Sequence, residues 1–391
     1  MSRTAIKAID AVAAAAVLVI VAGWLLKTPV SAKGWERRDL NDYTLNLRHS
    51  HDVDATHVYP FGFTYPPPSV LLRLGFGVLG FELGGGLWIA LSGVSLLASL
   101  IVALRMLDGF AKPGWGIAAL VALVLVKYPF EFEYKYLNAN AMYLALVLTG
   151  IALLDSRSTL GGFFLSLSIA LKLYSVVFVP WLLLTRRNRA ALATAAYCCL
   201  WFVALPILFW GLAGAWEVYT SWFQRVRETG ARDFPVLFAP NAYLVSLHAT
   251  VLMILERTST RDPLETALIA TRGLHAVWLI AVVAAFAVLR RPRNARTAAA
   301  DVSLLLILPL PLSGQLQPHH LVVLLPASIL LSNIAPDRSQ SRRLQALCVV
   351  VLAGAFVVME FVPGRAWRGA AMNFSILLYF IGLLEVKRSA S

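Results

Sequence analysis

Asp39 and Tyr43 stand four residues apart in RRDLNDYTLNLRHSHDVDATHVYPFGFTYPPPS, the stretch from Arg37 to Ser69. On a helix that spacing puts both side chains on one face. A carboxylate held there can take the proton of a substrate hydroxyl. Asp42, Asp52 and Asp54 share the stretch, and residue type alone does not separate the four. The segment closes on Pro66, Pro67 and Pro68, read as a stiff extended run because a residue before proline avoids the helical region.

Lys172 supplies the opposite charge, inside the apolar run LGGFFLSLSIALKLYSVVFVPWLLL. A lysine at the centre of a membrane helix costs about 2.5–3.5 kcal/mol. Its stem can carry the ammonium out to the interface, or the ammonium can meet a buried anionic group such as a lipid phosphate. His319 and His320 follow Pro318 at the start of another apolar run. Adjacent histidines without cysteines or clustered acids are a poor metal set; hydrogen bonding, or charge offered to a phosphate, suits them better. Asn138, Asn140 and Asn241 can cap helices or bind a ligand. Arg225 and Arg227, after Trp222, can meet phosphate or stay solvated. No metal and no cofactor is expected.

What must position these residues is a membrane. Of 391 residues, 59% are hydrophobic and only 14% charged, with a mean hydropathy of +0.72. Soluble domains carry about 25% charged residues. The net charge of +13 falls in short clusters between apolar runs: Arg186, Arg187 and Arg189; Arg290, Arg291, Arg293 and Arg296; Arg338, Arg342 and Arg343; Lys387 and Arg388. That is the placement of cytoplasmic loops, and it argues against nucleic acid, where the charge gathers on one face or arm. Cys198, Cys199 and Cys348 lie in apolar runs without disulfide or metal spacing.

A crossing helix needs about 20 apolar residues. Expected crossings are Ile9–Leu26, taken as an uncleaved first span, Leu87–Met106, Gly116–Tyr128, Ala141–Leu154, Ala190–Leu212, Gly273–Leu289, Ala298–Leu312, Leu321–Ile334, Leu344–Val362 and Met372–Val386. Val70–Phe81 reads as an interfacial or re-entrant element. Leu160–Leu184 has cytoplasmic-looking flanks on both sides, so it reads as two short or broken helices, tolerated where they line a cavity. The expectation is an all-α polytopic protein of about twelve crossings, one membrane domain over 1–391. Residues 27–68 form a structured first outer loop and 213–272 a second outer or interfacial region. Both termini are then cytoplasmic, and Asp39, Lys135, Asn241 and His319 share the outer face.

Five stretches, in order, resemble the polytopic glycosyltransferases of family 87, in the GT-C superfamily. "DLNDY" at Asp39–Tyr43 resembles the family's Asp-apolar-x-x-Tyr. "FTYPPPSVLL" is similar to its Phe-x-Tyr-Pro-Pro run, and "LNANAMYLALVLTGIALLD" to its Gly-Gln-x-Asn helix start. The lysine-bearing run resembles its Gly-rich helix ending in Lys-x-x-Pro, and "PLSGQLQPHHLVVLLPA" its His-His segment. Leu137-Asn138 stands where the family often has Gly-Gln, Tyr174-Ser175 where Thr-Pro is usual, and the His-His segment lacks a Trp. The resemblance implies a GT-C bundle in the bacterial cytoplasmic membrane with its active site on the outer, periplasmic face. It implies inverting transfer of a sugar, mannose by default, from a polyprenyl-phosphate donor to a lipid-linked or glycan hydroxyl. It also implies Asp39 as base, and Lys172, His319 and His320 beside the lipid phosphate. Tyr43, Asn138, Asn140 and Asn241 join them as substrate-binding candidates. A lipid transporter or flippase would equally use many spans and broken helices, but no internal repeat supports it.

Overall fold

A computed structural model describes residues 3–27, 42–60, 63–106, 114–229, 246–258, 262–288, 295–313, 316–334, 340–361 and 365–389. Asp39 and Asn241 lie outside them. The described residues are helical, without a strand. In chain order the α-helices are α1 (Arg3–Lys27), α2 (Asp42–Thr56), α3 (Pro67–Val78), α4 (Phe81–Met106), α5 (Trp115–Leu125) and α6 (Lys127–Tyr136). Then come α7 (Asn140–Leu153), α8 (Ser158–Leu171), α9 (Phe178–Leu184), α10 (Asn188–Cys199) and α11 (Leu205–Thr229). The last are α12 (Leu247–Arg257), α13 (Pro263–Val288), α14 (Ala295–Ile307), α15 (Leu325–Ile334), α16 (Arg342–Phe361) and α17 (Arg365–Ser389).

Among the described residues, five helical stretches are long and apolar enough to cross a membrane: Ala5–Leu26, Glu82–Met106, Asn188–Glu228, Pro263–Phe286 and Gly369–Ser389. A sixth arises if α5 and α6, bent by 63° to each other, count as one broken span. Other expected crossings fall on shorter apolar helices, among them Asn140–Leu153, Ser158–Leu171 and Pro318–Ile334. A 14-residue helix rises only about 21 Å, short of the roughly 30 Å hydrocarbon core. These elements are shortened because polar residues interrupt them, and those interruptions carry the candidate site.

The chain divides into two compact units: Met1–Val19, Leu100–Phe130 and Ala231–Ser391; and Ile20–Ser99 with Glu131–Gly230. In the first, buried Asp10 of α1 accepts from the backbone N–H of Gly114 and of Gly116, both at 2.9 Å. A carboxylate at a helix N-terminus satisfies orphan donors and suits the dipole, so α5 starts there. α14, α16 and α17 pack together. Ser328 on α15 shares a 2.7 Å hydrogen bond with Tyr379 on α17. Lys387 Nζ lies 2.5 Å from Asp301 Oδ1, with both side chains buried.

In the second unit α8 lies between α7 and α10, and its two glycines make that possible. A Cβ at Gly161 would meet the Gly150 carbonyl of α7 at 2.8 Å. One at Gly162 would meet Ala193 Cβ at 2.7 Å and the Ala190 carbonyl at 2.9 Å. Small residues at facing positions let membrane helices approach closely. α10 continues through a π-helical turn, Leu200–Ala204, into α11, which kinks at Gly211 (φ 68°, ψ 174°). Asn188–Glu228 is 41 residues long, about twice what one crossing needs.

Candidate active site

α8 ends where the sequence suggested a break. Lys172 leaves the helix with extended backbone (φ −148°, ψ 127°), a 3-10 turn follows over Leu173–Val177, and α9 resumes the path. Pro180 falls in the first turn of α9, where a missing N–H costs little. Ser168 Oγ reaches Ser175 Oγ at 2.7 Å across the break. The Lys172 side chain stays inside, 6% exposed, so snorkelling is not its solution here.

Its ammonium meets the start of α7. Lys172 Nζ donates to Asn140 Oδ1 at 2.6 Å and to Asn138 Oδ1 at 3.2 Å. Asn140 Nδ2 in turn donates to Glu133 Oε2 at 2.8 Å, and Ala141 N donates to Glu133 Oε1 at 2.9 Å. This network fixes the Asn140 amide. Flipped, it would set an NH2 against an ammonium and an oxygen against a carboxylate. Asn138 Oδ1 also accepts from Ala139 N at 2.8 Å, Asn140 Nδ2 at 3.2 Å and Tyr65 OH at 3.4 Å. The amides orient the lysine. The Glu133 carboxylate holds Asn140 and lies within the field of Lys172.

The backbone that delivers these asparagines is strained at one residue. Leu137 has φ 51°, the left-handed conformation that ends α6, and Asn138 N reaches back to the Glu133 carbonyl at 3.1 Å. That is the helix-ending arrangement in which glycine is usual. A leucine there costs about 1–2 kcal/mol. Burial of its side chain, 2% exposed, offsets a similar amount. Its carbonyl also accepts from Trp88 Nε1 at 3.0 Å.

A second cation stands nearby, one the sequence reading passed over. Arg73 of α3 is 1% exposed. Its guanidinium lies 4.0 Å from the Tyr65 ring centroid, and Lys172 Nζ lies 5.6 Å from the same centroid. Arg73 donates to the Ser69 carbonyl at 3.2 Å and to Ser69 Oγ. A lone arginine in the apolar run Val70–Phe81 was the available signal. Glu133 was hidden, because its segment of alternating aromatic and charged residues reads as an exposed interface. The proline run proves mixed. Pro66 is extended (φ −67°, ψ 154°), whereas Pro67 and Pro68 open α3, where a fixed φ suits the first helical turn.

Tyr43 packs on this cluster, 1% exposed with its ring 5.3 Å from Trp88. Burial pushes its hydroxyl up to about 12, with Arg73 pulling the other way, so it stays neutral. The competing acids go elsewhere: Asp54 accepts from Trp210 Nε1 at 2.9 Å, and Asp52 sits 3.6 Å from His49. The second unit thus brings Tyr43, Asn138, Asn140 and Lys172 together and adds Tyr65, Arg73 and Glu133. His319 and His320 belong to the first unit, buried in a 3-10 helix, Pro318–Leu324. Their rings are 4.6 Å apart, and His320 Nδ1 accepts from Gln317 N at 2.9 Å. Arg225 Nε donates to the Tyr59 carbonyl at 2.7 Å, a packing role.

Buried cations ringed by amides and aromatics form an anion-binding chemistry inside an apolar protein. The chain matches the family described as Glycosyltransferase family 87 over residues 63–311. That span holds Tyr65, Arg73, Glu133, Asn138, Asn140 and Lys172, and excludes Asp39, Tyr43, His319 and His320. No curated protein and no solved structure matches it. With more than half its length matched, and the lysine cluster inside the match, the chain belongs to glycosyltransferase family 87.

Proposed function

We propose that this glycosyltransferase moves a sugar, mannose by default, from a polyprenyl-phosphate donor to a hydroxyl of a lipid-linked or glycan acceptor, with inversion, on the outer face of the bacterial cytoplasmic membrane. The observation that carries the reading is Lys172: a buried ammonium oriented by Asn138 and Asn140 beside a second buried cation, Arg73. A membrane-embedded phosphate leaving group gathers negative charge as the glycosidic bond breaks. A fixed cation aimed at that charge lowers the barrier more than one that must reorganise. The long apolar helices supply the phase in which a polyprenyl tail dissolves.

In this mechanism Asp39 removes the acceptor proton, worth roughly 10²–10⁴-fold for a positioned base. The oxygen attacks the anomeric carbon, and the C–O bond to phosphate breaks on the opposite face. Lys172 takes the developing charge. Tyr43, Asn138, Asn140 and Asn241 line or order the substrates. The test is purified protein in nanodiscs given a panel of polyprenyl-phosphate sugars, with mass spectrometry of the glycolipids. Wild type is expected to consume one donor and Asp39→Asn to lose about 10²-fold or more. Asp39→Asn transferring at the wild-type rate contradicts the base assignment, and wild type consuming no donor in the panel contradicts the donor class.

A further inference from the structure

Within the second unit, a cavity of about 420 Å3 opens between the turn at His57–Val58 and the half of α11 that follows Gly211. It falls in the size range of small-ligand pockets, and such pockets mix an apolar wall with a few placed polar groups. Here the wall is Trp216, 74% exposed, and the polar groups are His57, Glu217, Thr220, Gln224 and Arg225.

Several features show that the cavity is built. His57 adopts φ 58°, a left-handed conformation at the end of α2. Its Nδ1 lies 3.0 Å from Glu217 Oε2. The imidazole rests on Gly214, where a Cβ would meet His57 Cε1 at 2.8 Å, so any side chain at 214 would push it from its carboxylate. The floor is pinned: Tyr59 N donates to Ser221 Oγ at 2.7 Å, and Arg225 Nε donates to the Tyr59 carbonyl at 2.7 Å. Trp222 Nε1 holds the Thr64 carbonyl at 3.1 Å. Ring contacts lead on from Tyr59, which stacks on Phe63 at 5.5 Å, and Phe63 meets Tyr65 at 5.7 Å. Tyr65 is the ring that Arg73 and Lys172 share. Packed rings therefore link the residues beneath the cavity to the lysine cluster.

The chemistry fits a sugar. A pyranose shows an apolar C–H face, which lies flat on an aromatic ring, and a rim of hydroxyls that donate and accept. Glu217 accepts, and the Thr220 hydroxyl and Gln224 amide, whose O–H and N–H are held by the Trp216 carbonyl and Glu228, keep an oxygen that accepts. A simple anion would meet the Glu217 carboxylate and these oxygens. We propose that this cavity holds the glycan part of the acceptor, with Trp216 stacking on a sugar ring and Glu217, oriented by His57, reading its hydroxyls. The proposal rests on the reading that the acceptor carries a sugar, and it places acceptor recognition on α11.

The test needs no donor, so it stands or falls apart from sugar transfer. Saturation-transfer NMR is run on purified protein in nanodiscs with two probes, methyl α-D-mannopyranoside for a free glycan and octyl α-D-mannopyranoside for a lipid-linked one. Wild type is expected to saturate the ring protons of at least one probe, and that probe names the source. Trp216→Ala and Glu217→Gln should each cut the signal at least fivefold. Both residues are exposed, so both variants should fold, which circular dichroism checks. Phe209→Ala, at another exposed aromatic on the same helix before the kink, should keep the signal. Absence of signal from wild type with both probes overturns the proposal. So does a signal that Trp216→Ala and Glu217→Gln leave intact, or one that Phe209→Ala removes equally.

Discussion

Among the described residues two lysines are buried, and their partners differ in kind. Lys387 of the first unit lies against a carboxylate, Asp301, at 2.5 Å. Lys172 of the second donates to two amide oxygens at 2.6 and 3.2 Å, with Glu133 held one residue away. The first arrangement cancels charge in place and ties α17 to α14. The second sets the direction of the ammonium through two amide oxygens, one of them held in turn by Glu133. An oriented ammonium of the second kind suits an anionic leaving group. The difference teaches that burial alone does not mark a functional lysine: the chemistry of what holds it does.

The sharpest way to break this contrast is at Lys387. Lys387→Met leaves Asp301 buried without this cation, at a cost of about 3–5 kcal/mol. It should lower the melting temperature by many degrees while activity per folded molecule survives. Pairing it with Asp301→Leu should restore most of the loss. If Lys387→Met melts like wild type and loses transfer, the two lysines do not divide as described.

Glu133→Gln tests the relay behind Lys172. A glutamine amide facing Asn140 Nδ2 favours the flipped asparagine, which then presents an NH2 to the ammonium. Transfer should fall about tenfold, the worth of one charge-assisted hydrogen bond, with little change in melting. Equal activity in Glu133→Gln would leave Glu133 as packing. Trp88→Phe removes the N–H that holds the Leu137 carbonyl and should cost about 1 kcal/mol, read as a small drop in melting temperature.

The smallest effect is on pH. Burial lowers the pKa of His49 below 6.5, opposed by the Asp52 carboxylate 3.6 Å away. Folding therefore favours neutral His49. Its contribution is complete above pH 6.5 and is lost as the pH falls through the folded-state value. Wild type should lose more thermal stability than His49→Gln on going from pH 7.5 to pH 5.5, and equal losses would remove His49 from the account.

Much of this was legible in the sequence, for reasons that differ by residue. Lys172 stood out because a charge inside 25 apolar residues has few explanations, and the cytoplasmic-looking flanks of that run pointed to the broken helix. The glycines at 161 and 162 carry a packing role that the sequence reading did not name. Asn138 and Asn140 were visible only as polar residues at a helix start. Their role depends on Lys172, 34 and 32 positions on, and local pattern does not reach that far. Glu133 was hidden for the same reason: alternating aromatic and charged residues look like an interface until the left-handed turn at Leu137 folds the chain back. That turn sets a leucine in a conformation where glycine is usual, and burial of its side chain offsets the strain. The count of crossings was least legible, because hydropathy counts apolar residues and does not see where a helix bends or stops.

The central claim is that Lys172 serves the anion released from the donor. The direct measurement is the single-turnover rate of sugar transfer from polyprenyl-phosphate mannose, or whichever sugar the donor panel selects, for wild type and Lys172→Met in nanodiscs, with melting temperature recorded on the same samples. Removing one oriented electrostatic donor costs about 10²–10³ in rate, and methionine fills the same buried volume without a charge to bury. The account predicts a loss of that size with the melting temperature held or raised. Transfer by Lys172→Met within twofold of wild type would contradict it.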